Sequence, residues 1–384
     1  MKEKTRNAAG AIIIAASALY CLAEPGQTRA AVSAALGRCL DTLIPSLFAM
    51  MAAAYLLTES GFLRAASRLP GWMTLPGRLL FGFESSMIPV FTFSMFAGYP
   101  VGMKLISAEY SAGRLSCRRA SLLAGLCFGA GPAFVYGCIS AQLYGSSAAG
   151  RLIMISAAGG NVLLALLLSP VTRRLRPEEN TAPVHTRFEP ALLTEAVSSA
   201  GRSMAQLCFT VLAFAVITAM LGSLGFTGAV SDMLTALSGR PHRETAALTA
   251  AFLDITAAGS LPHGDHTLLP AVTALVSFGG VCVFFQLGAV SGGEIPLLPV
   301  VLMRAAAAAL SYFICRALLP FLMAGETVTV SVAGAVHRAD SVVPSVMLIL
   351  MSVMVMREWG AGKSGIRNPG CGIKVSPEGD VFNV

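Results

Sequence analysis

Long apolar runs follow one another along almost the whole chain, and they restrict the folds that it can adopt. A helix needs about 20 apolar residues to cross the hydrocarbon core of a bilayer, which is about 30 Å thick. Hydrophobic residues make up 55% of the 384 residues and charged residues only 12%, whereas soluble domains carry roughly 25% charged residues. The sequence therefore predicts an all-α polytopic membrane protein with about eight transmembrane helices. The predicted spans are Ala8–Leu22, Thr42–Leu57, Ala120–Leu143, Leu152–Val171, Met204–Leu224, Leu268–Ala289, Pro296–Leu319 and Val342–Met356.

Two further apolar segments are unsuited to a simple crossing, because glycine, proline and acidic residues interrupt them. Gly82–Gly102 contains Glu84 and ends in Gly98-Tyr99-Pro100-Val101-Gly102. Ala246–Pro262 contains Asp254. Broken helices at membrane depth are tolerated where they are buried in protein or line a water-filled cavity. We therefore predict that both segments are re-entrant hairpins.

The distribution of basic residues supports this topology. With the N-terminus inside and both hairpins re-entrant, most of the 27 lysines and arginines lie on the cytoplasmic side, as the positive-inside rule requires. A full crossing by the first hairpin alone would place the basic stretch from Lys104 to Arg119 outside. The preferred topology gives Thr42–Leu57 and Met204–Leu224 opposite directions across the membrane.

Two parts of the chain share the same landmarks, which indicates an internal duplication. Gly37-Arg38 and Gly61-Phe62 recur at one spacing as Gly201-Arg202 and Gly225-Phe226, and Phe128-Gly129-Ala130 and Phe134 recur as Phe278-Gly279-Gly280 and Phe284. Opposite directions make this an inverted repeat, the arrangement in which secondary transporters bind a solute between two halves. The predicted units are residues 1–30 (an N-terminal transmembrane helix), 31–171 (first repeat), 172–198 (cytoplasmic linker), 199–320 (second repeat), 321–356 (C-terminal transmembrane helix) and 357–384 (mobile tail).

The sharpest local motif runs from Gly98 to Lys104. Its glycines and proline are predicted to leave backbone N–H groups free at the start of a helix, where the helix dipole favours an anion. Lys104 adds a positive charge in the same region, which a bound anion would stabilise. An alternative is that the two glycines only allow close helix packing. The predicted anion-binding residues here are Gly98, Tyr99, Pro100, Gly102 and Lys104.

Two long predicted helices are interrupted at matched places, by Phe128-Gly129-Ala130-Gly131-Pro132 and by Ser277-Phe278-Gly279-Gly280. Broken helices near the bilayer midplane offer backbone amide and carbonyl groups to a solute, although such breaks can also serve gating alone. An aromatic ring would stack on a planar solute, and a glutamine both donates and accepts hydrogen bonds. The predicted substrate-binding residues in these segments are Gly129, Gly131, Pro132, Phe278, Gly279, Gly280 and Gln286.

Three ionisable residues fall within apolar segments, where each costs at least ~2.5–3.5 kcal/mol at the bilayer centre unless it is paired or hydrated. They are Glu84 and Asp254 in the two hairpins and Arg304 in the Pro296–Leu319 span. We predict that these residues serve coupling or gating. The alternatives are a structural ion pair and an acid whose side chain reaches the membrane interface.

The sequence indicates neither an enzyme nor a cofactor or metal site. It lacks the H-E-x-x-H, G-x-S-x-G and phosphate-binding P-loop motifs, each of which supplies a recognised chemistry. His263-Gly264-Asp265-His266 offers two imidazoles but no third ligand nearby, and we interpret it as a polar loop. The net charge of +7 reflects basic residues between spans, so no nucleic-acid partner is predicted.

These motifs resemble those of the sporulation integral membrane proteins of endospore-forming bacteria, which carry a nucleoside-recognition (Gate) domain. Gly98–Lys104 matches the family pattern Gly-Tyr-Pro-x-Gly-Ala-Lys, and Ser277-Phe278-Gly279-Gly280 with Gln286 matches a second motif. Leu253-Asp254-Ile255-Thr256 has Asp where the family has Glu. Residues 128–132 keep the helix break but lack the amides of the relatives' Asn-Asn-Pro-Ser-Pro-like sequence. The resemblance spans roughly residues 36–319 and implies two Gate-like repeats.

What the resemblance implies is movement of a small molecule across a membrane during spore formation. Members are associated with dipicolinate, a planar aromatic dianion. We therefore predict a transporter of a small organic anion such as dipicolinate, working by alternating access in a bacterial cell membrane or forespore membrane. The alternatives are a nucleoside or neutral-solute carrier of the same fold and a non-transporting gate or scaffold subunit of spore assembly. The predicted partners are a small-molecule anion and the lipid bilayer, with homo-oligomers and spore-assembly partners left open.

Overall fold

A computed structural model describes residues 14–61, 74–75, 77–175 and 190–323. These residues are almost entirely helical and include no β-strand. In chain order the helices are α1 (Ile14–Ala23), α2 (Pro25–Arg38), α3 (Ile44–Glu59), α4 (Met87–Ala97), α5 (Tyr99–Ser111), α6 (Cys117–Leu126), α7 (Pro132–Phe134), α8 (Ser147–Leu167), α9 (Ser169–Arg174), α10 (Pro190–Ser223), α11 (Phe226–Ser238), α12 (His242–Leu253), α13 (Leu269–Phe278), α14 (Val281–Val290) and α15 (Leu297–Leu322). Cys39–Leu43, Gly77–Phe81 and Val135–Tyr144 are π-helical, and Ile255–Ser260 and His266–Leu268 are 3₁₀ turns.

Within the described residues, five helical stretches are long and apolar enough to cross a membrane. This confirms an all-α membrane protein with several candidate membrane-spanning helices, but the number differs from the eight predicted. The N-terminal part of Ala8–Leu22 and all of Val342–Met356 lie outside the described residues. The five stretches are Pro25–Glu59, Ser147–Leu167, Pro190–Ser223, His266–Val290 and Leu297–Leu322.

The predicted span Ala120–Leu143 is not one helix. α6 ends at Leu126, α7 begins at Pro132, and the chain continues as the π-helical segment Val135–Tyr144. Proline is favoured in the first turn of a helix because its missing N–H is not needed there. The helix break that was predicted at Phe128–Pro132 is therefore confirmed, and the span assigned from hydropathy alone was wrong to cross it.

The helix bounds also differ from the predicted hairpins and linker. The segment predicted to end at Gly102 consists of α4 and α5, which meet at Gly98, and α5 continues to Ser111. The second predicted hairpin is α12 followed, after Asp254, by the turn Ile255–Ser260. The boundary predicted at residue 199 falls inside α10, which begins at Pro190.

The long helices α15 and α10 have the most extensive helix–helix contacts. α15 packs along α8 and also against α13, while α10 packs along α3. A side chain at Gly160 of α8 would place its Cβ 2.2 Å from the Ser311 Oγ of α15. Small residues permit such close approach between membrane helices. α15 also packs against α6, so it contacts the two helices, α6 and α13, that end at breaks.

Candidate functional site

Three helix breaks meet in the interior of the protein. In the first turn of α5, just after the α4–α5 break, a Cβ on Gly102 would lie 1.8 Å from the backbone oxygen of Cys127, which belongs to the α6–α7 break. At the α13–α14 break, a Cβ on Gly279 would lie 2.8 Å from the ring of Phe128. These contacts leave no room for side chains, so the glycines allow the three breaks to pack against one another.

The α13–α14 break follows from its two glycines. Gly279 and Gly280 have φ angles of 94° and 83°, which residues with a side chain rarely adopt. α13 therefore ends at Phe278, and α14 starts afresh at Val281.

Arg304 of α15 lies at the centre of these breaks, and only 1% of its surface is exposed. Its Nε and Nη2 donate to the Ser277 backbone oxygen at 3.2 and 2.6 Å, and Nη2 also donates to Ser277 Oγ at 3.0 Å. Its Nη1 donates to the Gly125 oxygen at 3.2 Å and to Asn161 Oδ1 at 2.8 Å. The guanidinium carbon lies 4.5 Å from the centre of the Phe128 ring.

Every acceptor of Arg304 is electrically neutral. No carboxylate of the described residues lies within ion-pair distance of this guanidinium. Gly125 and Ser277 lie in the last turns of α6 and α13, where backbone carbonyls lack helical partners and the helix dipole is negative. The ends of two helices thus stabilise the cation, but its full charge is not neutralised.

A small, partly open cavity of about 20 Å³ lies beside Arg304. This volume has room for about one water molecule. In the part of the chain that the structure describes, the amide N–H groups of Gly129 and Ala130 in its wall donate no hydrogen bond. The charge of the guanidinium makes this wall electropositive. The lining residues are Met95, Phe128, Gly129, Ala130, Met154, Ala157, Ala158, Asn161, Ser277 and Arg304.

Of the residues predicted from the sequence to form the site, two line this cavity, Gly129 and Arg304. Tyr99 is adjacent, with its ring centre 5.0 Å from that of Phe128. Phe278 packs against the rings of Phe252 and Phe284 at 5.3 and 5.1 Å. The other predicted residues at the breaks pack around them: Gly98, Pro100, Gly102, Gly131, Pro132, Gly279 and Gly280.

Four further predicted residues have their polar contacts away from the cavity. Glu84 forms an ion pair with Arg119 at 2.6 Å, and Asp254 lies 3.4 Å from Arg38. Gln286 is buried, and its Nε2 lies 3.7 Å from Cys282 Sγ. Lys104 donates to two serines of α10, Ser199 at 3.0 Å and Ser203 at 2.8 Å.

Sequence reasoning did not assign Asn161 or Ser277 to the site. Asn161 is 2% exposed, accepts from Arg304, and donates to the Leu126 oxygen at 2.7 Å. It is an amide within the predicted span Leu152–Val171, and polar residues inside membrane helices are candidate functional residues. That signal would have been enough to select Asn161 from the sequence. Nothing in the sequence indicates that Asn161 contacts Arg304.

The Tyr99 hydroxyl supplies a partner for the end of α13. It donates to the Val276 backbone oxygen at 2.7 Å, and that carbonyl lies in the last turn of the helix. Tyr99→Phe is expected to lower the free energy of unfolding by about 1 kcal/mol or more, because the carbonyl loses its partner in a buried place. Thermal unfolding of the purified protein measures this loss of stability. Tyr136→Phe makes the same chemical change at a 38% exposed tyrosine, and equal effects of the two substitutions would contradict the assigned role.

Comparisons with protein-family models, curated proteins and solved structures find no match for this chain. The resemblance of its motifs to the sporulation family therefore stays a prediction. The function is inferred from the site itself.

Proposed function

We propose that the chain is a membrane transporter of a small organic anion, of which dipicolinate is an example, and that it binds this anion in the cavity beside Arg304. The observation that carries the proposal is the charge of Arg304. This guanidinium is buried among neutral acceptors and borders a cavity that Gly129 and Ala130 also line.

Electrostatics favour an anion over a neutral solute in this cavity. Burying an ion without a counter-ion costs several kcal/mol even after relaxation of the protein. Opposite unit charges 4 Å apart attract by about 4 kcal/mol at an effective dielectric constant of about 20. A bound anion would therefore offset much of the penalty of burying Arg304, which a nucleoside would not.

The apolar part of the cavity would suit a compact planar solute after an opening movement that widens it, because the cavity measures only about 20 Å³ in this structure. Met95 and Met154 provide adaptable thioether chains, which fit irregular apolar shapes. The Phe128 ring has one neighbour in Arg304 and another in Tyr99, so an aromatic solute would join an existing cluster of rings. A pyridine dicarboxylate combines an aromatic ring with the negative charge that this wall favours.

The transport mechanism in this proposal is alternating access around the breaks. Each half of the chain has the same order of elements: a long helix, a break at Gly98 or Asp254, a second break at Gly129–Gly131 or Gly279–Gly280, and another long helix. This shared order supports the predicted duplication. The proposal adds that the two repeats are inverted, with re-entrant segments and up to eight spans in a bacterial membrane. Rocking of one half against the other would expose the cavity to each side in turn.

Uptake by proteoliposomes tests the proposed function. Purified protein in liposomes is expected to take up labelled dipicolinate with saturation, and excess unlabelled dipicolinate should compete. Pyridine-2,6-dicarboxamide, a neutral compound of similar shape, and uridine should compete at least about tenfold more weakly, because neither gains the attraction of Arg304.

Two other outcomes would contradict the proposal. Saturable uridine uptake without competition by dipicolinate would indicate a carrier of neutral solutes. Absence of uptake of either compound by folded, inserted protein would favour a non-transporting subunit.

A further inference from the structure

The cavity beside Arg304 is too small for an organic solute in this structure, because it has room for about one water molecule. Both halves of the chain contribute to its wall. Phe128 and Asn161 belong to the first predicted repeat, whereas Ser277 and Arg304 belong to the second. Separation of these parts of the wall would widen the cavity. A contact that joins the two halves and connects to this wall is therefore a candidate for a gate.

An ion pair between Arg38 and Asp254 joins the two halves. Arg38 is the last residue of α2, and its Nη2 donates to Asp254 Oδ2 at 3.4 Å. The two side chains are 29% and 11% exposed. By contrast, the ion pairs of Arg114, Arg119 and Arg240 each join residues of the same half. The pair of Arg38 with Asp254 therefore resists separation of the halves.

The carboxylate of this ion pair is fixed to the backbone of the second half. Asp254 Oδ1 accepts from Thr256 Oγ1 at 2.7 Å and from the Thr256 amide at 3.0 Å. Asp254 also separates α12 from the 3₁₀ turn Ile255–Ser260. The ion pair thus connects α2 to a helix break of the other half rather than to a flexible side chain alone.

The break at Asp254 packs directly on the α13–α14 break. A Cβ on Gly280 would lie 3.0 Å from the Ile255 backbone nitrogen and 3.4 Å from the Phe252 backbone oxygen. The ring of Phe252 stacks on that of Phe278, with centres 5.3 Å apart and planes inclined by 11°. Backbone and rings are therefore packed closely on either side of Asp254, and we expect the two breaks to move together.

The α13–α14 break also carries part of the cavity wall. Ser277 lines the cavity and lies three residues before Gly280. Its backbone oxygen and its Oγ accept from Arg304 Nη2 at 2.6 and 3.0 Å. A continuous series of contacts thus links Arg38 to the wall at Ser277.

We infer that the Arg38–Asp254 ion pair is a gate of the cavity: it holds the two adjoining breaks against the first half, and it separates when the cavity opens toward one side of the membrane. The inference rests on the proposed function, since a gate serves a chain that moves a solute. It assigns to Asp254 a stated partner and a stated effect on the wall beside Arg304.

Hydrogen exchange of backbone amides measures local opening and requires no solute. Arg38→Gln removes the positive charge of the gate and leaves the bonds between Asp254 and Thr256 in place. In nanodiscs, exchange of residues 276–281 is expected to become about tenfold faster, because the variant leaves a buried carboxylate without its counter-ion. Exchange within α15 should stay at the wild-type rate. Arg38→Lys keeps the charge and should restore at least part of the protection.

Arg240→Gln is the matched control, because it makes the same chemical change in an ion pair that stays within the second half. Arg240 Nη1 lies 3.0 Å from Glu244 Oε2, and the arginine side chain is 34% exposed, similar to that of Arg38. This variant should leave the exchange of residues 276–281 unchanged.

Dipicolinate uptake provides the second readout. Alternating access requires each side of the cavity to close in turn, so Arg38→Gln is expected to take up dipicolinate more slowly than the wild type. Arg240→Gln should take it up at the wild-type rate.

The outcomes separate the gate from the proposed function. Faster exchange only around residue 38, with residues 276–281 unchanged, would overturn the gate, while uptake by the wild type would still support the transporter. Faster exchange of residues 276–281 in Arg38→Gln without uptake by the wild type would support the link from the ion pair to the cavity wall and contradict transport. Equal acceleration by Arg240→Gln would show that the loss of either ion pair loosens this break, which also overturns the inference.

Discussion

Replacing Arg304 with glutamine is expected to reduce dipicolinate uptake at least about 30-fold, measured as initial rates into proteoliposomes. Removing one partner of a buried, hydrogen-bonded charge pair typically costs about 2–5 kcal/mol, and each 1.4 kcal/mol corresponds to about tenfold in affinity. Glutamine keeps some hydrogen-bonding capacity but no charge. The substitution therefore removes mainly the electrostatic attraction between the site and an anion.

The same guanidinium also holds the helix breaks together, so its structural role needs separate measurement. Arg304→Lys keeps the charge but loses the planar group that contacts Phe128 and reaches the Ser277 and Gly125 carbonyls. We expect this variant to be less stable than the wild type yet to retain more uptake than Arg304→Gln at equal amounts of folded protein.

Arg316 offers a matched control on the same helix. Its side chain is exposed, and Arg316→Gln makes the same chemical change far from the cavity lining. Uptake by this variant should equal that of the wild type. If Arg304→Lys and Arg304→Gln lose uptake equally while both stay folded, the charge of Arg304 is not what binds the solute.

The features that depend on local backbone chemistry were predictable from the sequence. Apolar runs predict the membrane class, and glycine and proline predict where helices stop, because their conformational limits act within a few residues. The breaks at Gly98, Gly129–Gly131 and Gly279–Gly280 lie where the motifs placed them. The break inside Ala120–Leu143 was visible in its glycines and proline, although hydropathy alone merged it into one span.

The partners of the charged residues were not predictable in the same way. Arg304 meets Asn161 and Gly125, Glu84 meets Arg119, and Asp254 meets Arg38, all across long separations in sequence. Such contacts depend on how the helices pack and on how each is rotated about its axis. The spacing of apolar residues does not determine that rotation when a helix is apolar on most sides. Lys104 shows the consequence: its position in α5 was predicted, but the serines of α10 that it contacts were not.

Gly102→Ala is expected to destabilise the protein strongly and to reduce uptake with it. The new Cβ would lie 1.8 Å from the Cys127 backbone oxygen and 3.1 Å from the Ser94 Cβ. Backbone cannot move aside as a flexible side chain can, so α5 must shift away from the α6–α7 break. Overpacking typically costs about 1–3 kcal/mol and occasionally more, and a backbone clash belongs at the upper end of that range.

Gly228→Ala is the matched control, because Gly228 lies in helix α11 and its added Cβ would meet nothing within 4 Å. Alanine is favoured over glycine in a helix by up to about 1 kcal/mol, so this variant should unfold at an equal or higher temperature than the wild type. Thermal unfolding of the two variants, followed by uptake at a temperature where both are folded, tests the prediction. Equal stability of both would contradict the close approach of α5 to Cys127. A stable Gly102→Ala protein that has lost only uptake would instead favour the alternative in which the Gly98–Gly102 backbone contacts the solute directly.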